Sequence, residues 1–169
     1  IKENKEQLAK VDFVHLHNHS QFSILQSTAS VHDLVAAAKK HKMPAVGITD
    51  MGNMMGAFHF VKALTAHNKA AQKKNDELLE AGEEPTETII KPIVGAELNV
   101  CQDHTNKSQK DNGYQIVFLA KNKRGYHNLA KMASLAYTDG FYYVPRIDRE
   151  IVERYKEDII VLTGNLYGE

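Results

Sequence analysis

Cysteine is nearly missing from this sequence: Cys101 is the single one in 169 residues. Without a second thiol there is no disulfide framework and no C-x-x-C zinc spacing, and a reducing cytoplasm is the expected location. An excess of either charge is missing too, since Lys plus Arg and Asp plus Glu number 21 each. That balance exerts no long-range pull on a phosphate backbone, so a stand-alone nucleic-acid binder is not indicated. No apolar run approaches the roughly 18 residues of a membrane span, so no membrane partner is expected. The charged start IKENKEQLAKVD lacks the apolar stretch of a signal peptide. G-x-S-x-G, G-x-x-x-x-G-K and the dinucleotide fingerprint do not occur, which sets aside serine-elbow hydrolases, P-loop enzymes and dinucleotide enzymes.

What is there is ordinary globular composition, 43% hydrophobic and 25% charged, at a length that fits one domain with a real core. Alternation from Val11 to His17 predicts a first strand. Ser30, three residues before Asp33, predicts a capped helix over VHDLVAAAKKH, stopped by Pro44. AVGIT (45–49) reads as a short buried strand, with Gly52 and Asn53 as the turn after Asp50. A second helix starts in MMGAFHFVKAL and continues into a highly charged stretch ending at Gly82, read as a solvated extension. Further strands are predicted over 91–100, 115–121 and 158–164. A helix is expected over RGYHNLAKMASLAY, and another over REIVERY with Asp148 as its cap. Strands apolar on both faces, alternating with helices, predict an α/β fold with a parallel sheet, doubly wound or barrel-like.

In such folds ligands bind at the carboxyl ends of the strands. Those ends carry His17 and His19, Asp50, Glu97 or Asn99, Asn122 and Asn165. The run HLHNHS (15–20) puts His15, His17 and His19 two apart, on one face of an extended chain. Histidine with a carboxylate suits zinc, manganese or iron, and Glu97 arriving from another strand would complete a water-activating site. The bland alternative is a hydrogen-bonded strand end, and Asp50 before Gly52–Asn53 has a turn reading of its own. His32, His41, His59, His67, His104 and His127 fall on predicted helices or loops without partners. Cys101 reads as a small core residue.

Six blocks in order resemble a known family: FVHLHNHSQFSIL, MPAVGITDMGNMMGAFHF, KPIVGAELNV, LAKNKRGYHNLAKMASLAY, GFYYVPRID and IIVLTGN. They are similar to the N-terminal PHP (polymerase and histidinol phosphatase) domain of bacterial DNA polymerase III alpha subunits, the C-family replicative polymerases. The resemblance implies a distorted (βα)7 barrel of which residues 13–169 are the first part, with a charged helical insertion at about 66–88. Residues 1–12 form an N-terminal segment without an assigned function. It also implies a metal site for Zn2+ or Mn2+ at which active members cut DNA from its 3′ end. His17, His19 and Glu97 match retained ligand positions, whereas Gln26, Met51, Gln115 and Asn165 stand where the family has ligands. The polymerase carboxylates and their Mg2+ would lie outside this chain. The implied function is a degenerate metal site serving as scaffold, with the remainder of the alpha subunit, a proofreading exonuclease subunit and DNA as partners. The alternative is a 3′–5′ exonuclease or phosphoesterase using His17, His19 and Glu97. A free-standing metabolic phosphatase is a third reading, opposed by the polymerase-like blocks at 119–129 and 140–148.

Overall fold

The computed structural model describes residues 12–163 and 167–168. The segment 1–11 and Asn165 lie outside the described residues. Among the described residues the order is α1 (Val31–Lys40), β1 (Ala45–Ile48), α2 (Ala57–Glu80), β2 (Lys91–Cys101), β3 (Tyr114–Ala120), α3 (Lys123–Thr138), β4 (Arg146–Asp148), α4 (Arg149–Tyr155) and β5 (Ile159–Leu162). No helix among them is long and apolar enough to cross a membrane.

Local chemistry fixes the helix ends. Ser30 and Asp33 form the expected capping box at α1. Asn122 caps α3 by accepting from the Gly125 amide, and Asp148 caps α4 through Ile151. The charged part of α2 is continuous helix as far as Glu80, with Ala71 and Asn75 buried. Asn68 and Asn75, two turns apart, each exchange two hydrogen bonds with the returning chain at Ile90 and Glu87.

The five strands form one sheet in the order β1-β2-β3-β5, with β4 also paired to β2. The sheet is mixed, which corrects the parallel expectation. β1 and β4 run parallel to β2, but β3 runs antiparallel to both β2 and β5. A strand apolar on both faces cannot report the direction of its neighbour. The β2–β3 connection is a polar loop without a helix, and that permits an antiparallel return. The sheet is not closed among the described residues, as a partial PHP-type barrel requires.

β2 is the spine. Its residues Gly95–Val100 pair with β3 on one edge. On the other edge β1 pairs with its first half, Met51 bridges to Glu97 in the same register, and β4 takes its last three residues. Alternation then sorts the side chains. Ala96 and Leu98 enter a core with Phe118, Leu129, Met132 and Ile147, while Glu97 and Asn99 face the other way. A second core joins α1, β1 and α2 through Val35, Val46, Ile48, Phe60 and Leu64.

The predicted first strand is not one. Residues 12–20 form no regular strand, because just two backbone bonds tie them to β1: Gly47 N–H to the His15 carbonyl at 2.8 Å and Thr49 N–H to the Asn18 carbonyl at 2.9 Å. The chain crosses β1 very closely at Gly47, where a Cβ would sit 2.7 Å from the Leu16 oxygen.

Candidate metal centre

Asn18 explains how two histidines come to face one way. Its amide nitrogen donates to the Gly47 and His15 carbonyls, and its backbone N–H donates to Thr49 Oγ1. With Asn18 turned toward β1, His17 and His19 on either side of it turn toward β2. There Glu97 Oε2 accepts from both imidazoles, at 2.9 Å from His17 Nε2 and 2.5 Å from His19 Nε2. The two rings lie 5.2 Å apart at 74°.

Glu97 is fully buried. Burial is the largest influence on its carboxyl and pushes the pKa up. The hydrogen bonds from His19 and His17, with the charge of both rings, outweigh it, so the pKa lies below the ordinary glutamate value. The group is held as an anion facing two nitrogens.

Asp50 has a different task. Its Oδ1 accepts from the Ser20 amide at 2.6 Å and from Ser23 Oγ at 2.7 Å, and its Oδ2 accepts from Ser20 Oγ at 2.8 Å. Ser23 Oγ in turn accepts from the Met51 amide. These bonds fasten the loop after the histidines to the end of β1. Gly52, at φ +70, and Asn53, whose side chain bonds the Phe22 and Met51 carbonyls and the Met55 amide, complete the expected turn.

The structure therefore brings His17, His19 and Glu97 together, their ligand atoms within 4.8 Å of one another. His15 does not join them: it is exposed, and its ring lies edge-on against Phe13. Gln26, Met51 and Gln115 line a common cleft of about 440 Å3 with Asn99. Met51 pairs with Glu97 and Gln115 pairs with Asn99 across the sheet, so the cleft lies beside the β2 positions of Glu97 and Asn99. Asn122 is not at this end. Because β3 is antiparallel, Asn122 follows the strand end that pairs with Gly95, and its side chain is spent on the α3 cap.

Several residues escaped sequence reading. His104, expected to lack a partner, meets Asp148 with Nδ1 2.5 Å from Oδ2, and Asp103 lies close enough to form a second acidic–histidine group. His67 Nε2 contacts the Thr88 carbonyl, and His59 stacks on Phe22. Arg146 is fully buried and donates to the carbonyls of Gly140, Asp111, His104 and Asn106. It staples two loops to β4. No local signal marks it, because its partners are backbone oxygens. Cys101 is buried as expected, and its thiol donates to the Ile147 carbonyl. Burial pushes that thiol's pKa up, which makes it a poor nucleophile.

The family profile described as the PHP domain matches residues 15–169. The chain belongs to the PHP domain family. Among its curated relatives is the DNA polymerase III subunit alpha of Aquifex aeolicus (strain VF5), 38% identical over 166 residues, 93% of this chain and 12% of that protein. The same subunit of Thermus aquaticus is 37% identical over 168 residues, 95% of this chain and 12% of its own length. That of Treponema pallidum (strain Nichols) is 36% identical over 166 residues, 96% and 12%. This PHP domain thus spans about 12% of the length of those relatives.

The donor set fits one small divalent ion and no more. Two imidazoles and a carboxylate match the composition of mononuclear zinc sites that keep a coordination position open. The neighbouring positions supply a thioether and carboxamides (Met51, Gln26, Gln115), which do not neutralise a second or third cation.

Proposed function

We propose that this chain is the PHP module of a DNA polymerase III alpha-type subunit, and that its histidine–glutamate cluster serves as structure. On this reading the chain is a scaffold inside a DNA-synthesising enzyme. The polymerase carboxylates, with Mg2+, belong to the remainder of that subunit, and a proofreading exonuclease subunit docks on the PHP module. The observation that carries the reading is the environment of Glu97. Its carboxylate is already matched by two imidazoles, and the adjoining cleft is uncharged where a polynuclear cluster would need anionic or imidazole ligands.

One observation favours a second reading. His17, His19 and Glu97 form a convergent donor set for a single Zn2+ or Mn2+, which would supply an activated water for phosphoester hydrolysis. Metal analysis of the longest natural protein carrying this chain, purified without chelator, separates the two. Under about 0.2 ions per chain supports the scaffold. One ion per chain, lost in Glu97→Gln together with any 3′–5′ exonuclease activity, supports the hydrolase and overturns the scaffold.

A further inference from the structure

Among the described residues, a group of positively charged side chains gathers at a recess whose lining excludes Glu97. Lys39, Lys40 and Lys42 at the end of α1 face His67 of α2 and the hydroxyl residues Thr86 and Thr88 across a recess of about 300 Å3. Glu87 also lines it, but Lys74 pairs with that carboxylate and holds its pKa below the ordinary value.

Lysines in the last turn of a helix have a simple explanation, since they offset the partial negative charge of the helix end. That covers Lys39 and Lys40 and leaves the rest. Lys42 lies past the helix, where the Lys42 amide bonds the Lys39 carbonyl and the Met43 amide bonds the Ala38 carbonyl. This is the closing position that glycine favours, and Lys42 occupies it at φ +50. A residue with an unfavourable backbone adds a third ammonium to the recess. The opposite wall is fixed independently, by the Asn75–Glu87 pair and by the His67 contact to the Thr88 carbonyl. Three elements thus bring ammonium, imidazole and hydroxyl groups to one hollow, and its carboxylate is paired with Lys74.

We propose that this recess binds a phosphoryl group, contributed by a nucleic-acid backbone or by a small phosphorylated molecule. Ammonium groups supply the charge complement, and the Thr86 and Thr88 hydroxyls donate to the remaining oxygens. The inference does not depend on the metal question at Glu97.

Lysine acetylation footprinting by mass spectrometry tests it on the longest natural protein carrying this chain. The probes are inorganic phosphate and a 12-nucleotide single-stranded DNA, and Lys131 on α3 is the internal control. At saturating probe, Lys39, Lys40 and Lys42 are expected to react about threefold or more slowly while Lys131 is unchanged, since bound phosphate removes them from solvent. Protection at lower DNA than phosphate concentration assigns the diester, and the reverse order assigns the small phosphorylated molecule. A variant, Lys42→Gly, removes the charge while relieving the positive φ, so the fold is kept. It should weaken protection of Lys39 and Lys40 by about threefold or more. Protection by neither probe, equal protection of Lys131, or undiminished protection in Lys42→Gly would overturn the proposal.

Discussion

Replacing Glu97 by alanine removes one carboxylate that two imidazoles address, and the cost can be worked from the geometry. Each hydrogen bond to a charged group contributes about 1.5–3 kcal/mol. Two are lost here. The loss is offset because a carboxylate is no longer held in a dry interior, and because the His17 and His19 side chains keep 29% and 21% exposure and can partly rehydrate. A net destabilisation of about 2–4 kcal/mol follows, which lowers the midpoint of thermal unfolding by about 4–16 °C for a domain of this size. The assay is near-UV circular dichroism on wild type and Glu97→Ala, each before and after exhaustive treatment with chelator. If the hydrogen bonds hold the cluster, chelator leaves the wild type within about 1 °C and the variant's deficit persists unchanged. The reasoning is refuted if chelator brings the wild type down to the variant's midpoint while leaving the variant alone, because an ion would then be the stabilising agent. It fails equally if Glu97→Ala unfolds at the wild-type temperature.

Other outcomes test the surroundings. Gly47→Ala should push the Leu16 backbone off β1, costing about 2–3 kcal/mol and broadening the His17 and His19 imidazole resonances by NMR. Asp50→Asn exchanges an acceptor of three bonds for a group with two donors; the expected loss is about 2–3 kcal/mol in urea unfolding, with faster proteolysis within 20–28. Asp148 governs an acid transition. Burial is the largest influence on its carboxyl and raises the pKa, but the bonds from His104 and the Ile151 and His104 amides outweigh it, so the folded value is depressed. Its contribution is therefore complete above the unfolded aspartate pKa of about 3.9 and disappears as pH falls through the lower folded value. Stability of Asp148→Asn should be lower than wild type at neutral pH, the gap closing below about pH 4 in urea titrations.

How far the sequence could be read depended on the range of the signal. Ser30 with Asp33, Asp148 before REIVERY and Pro44 after α1 act within a few residues, and each end of α1 and the start of α4 was legible from them. The apolar runs that became β1, β2, β3 and β5 were legible for the same reason. Direction was not. Whether Ile116–Leu119 runs with or against Gly95–Leu98 depends on a connection that the apolar pattern does not describe, and Asn122 was misplaced as a result. HLHNHS shows the converse case. Alternation gave the facing of His17 and His19 correctly although the segment is not a strand, because any extended chain alternates. Their meeting with Glu97 was read from the carboxyl ends of the strands, and the family resemblance pointed to the same residue; spacing along the chain did not show it. His104–Asp148 and the Arg146 staple span more than thirty residues or use backbone acceptors, and neither leaves a local pattern.

Asp50 has a consequence for how such a site changes over generations. Its bonds to Ser20 and Ser23, with those of Asn18 to Gly47 and Thr49, shape the segment bearing the two histidines without help from any ion. Backbone shape and ligand chemistry are thereby separable traits. The side chains of Gln26, Met51 and Gln115 take part in none of these bonds, so substitutions there leave the shape of that segment as it is. Substitutions at Asp50, Ser20 or Ser23 should therefore disturb the shape of that segment more than substitutions at Gln26, Met51 or Gln115.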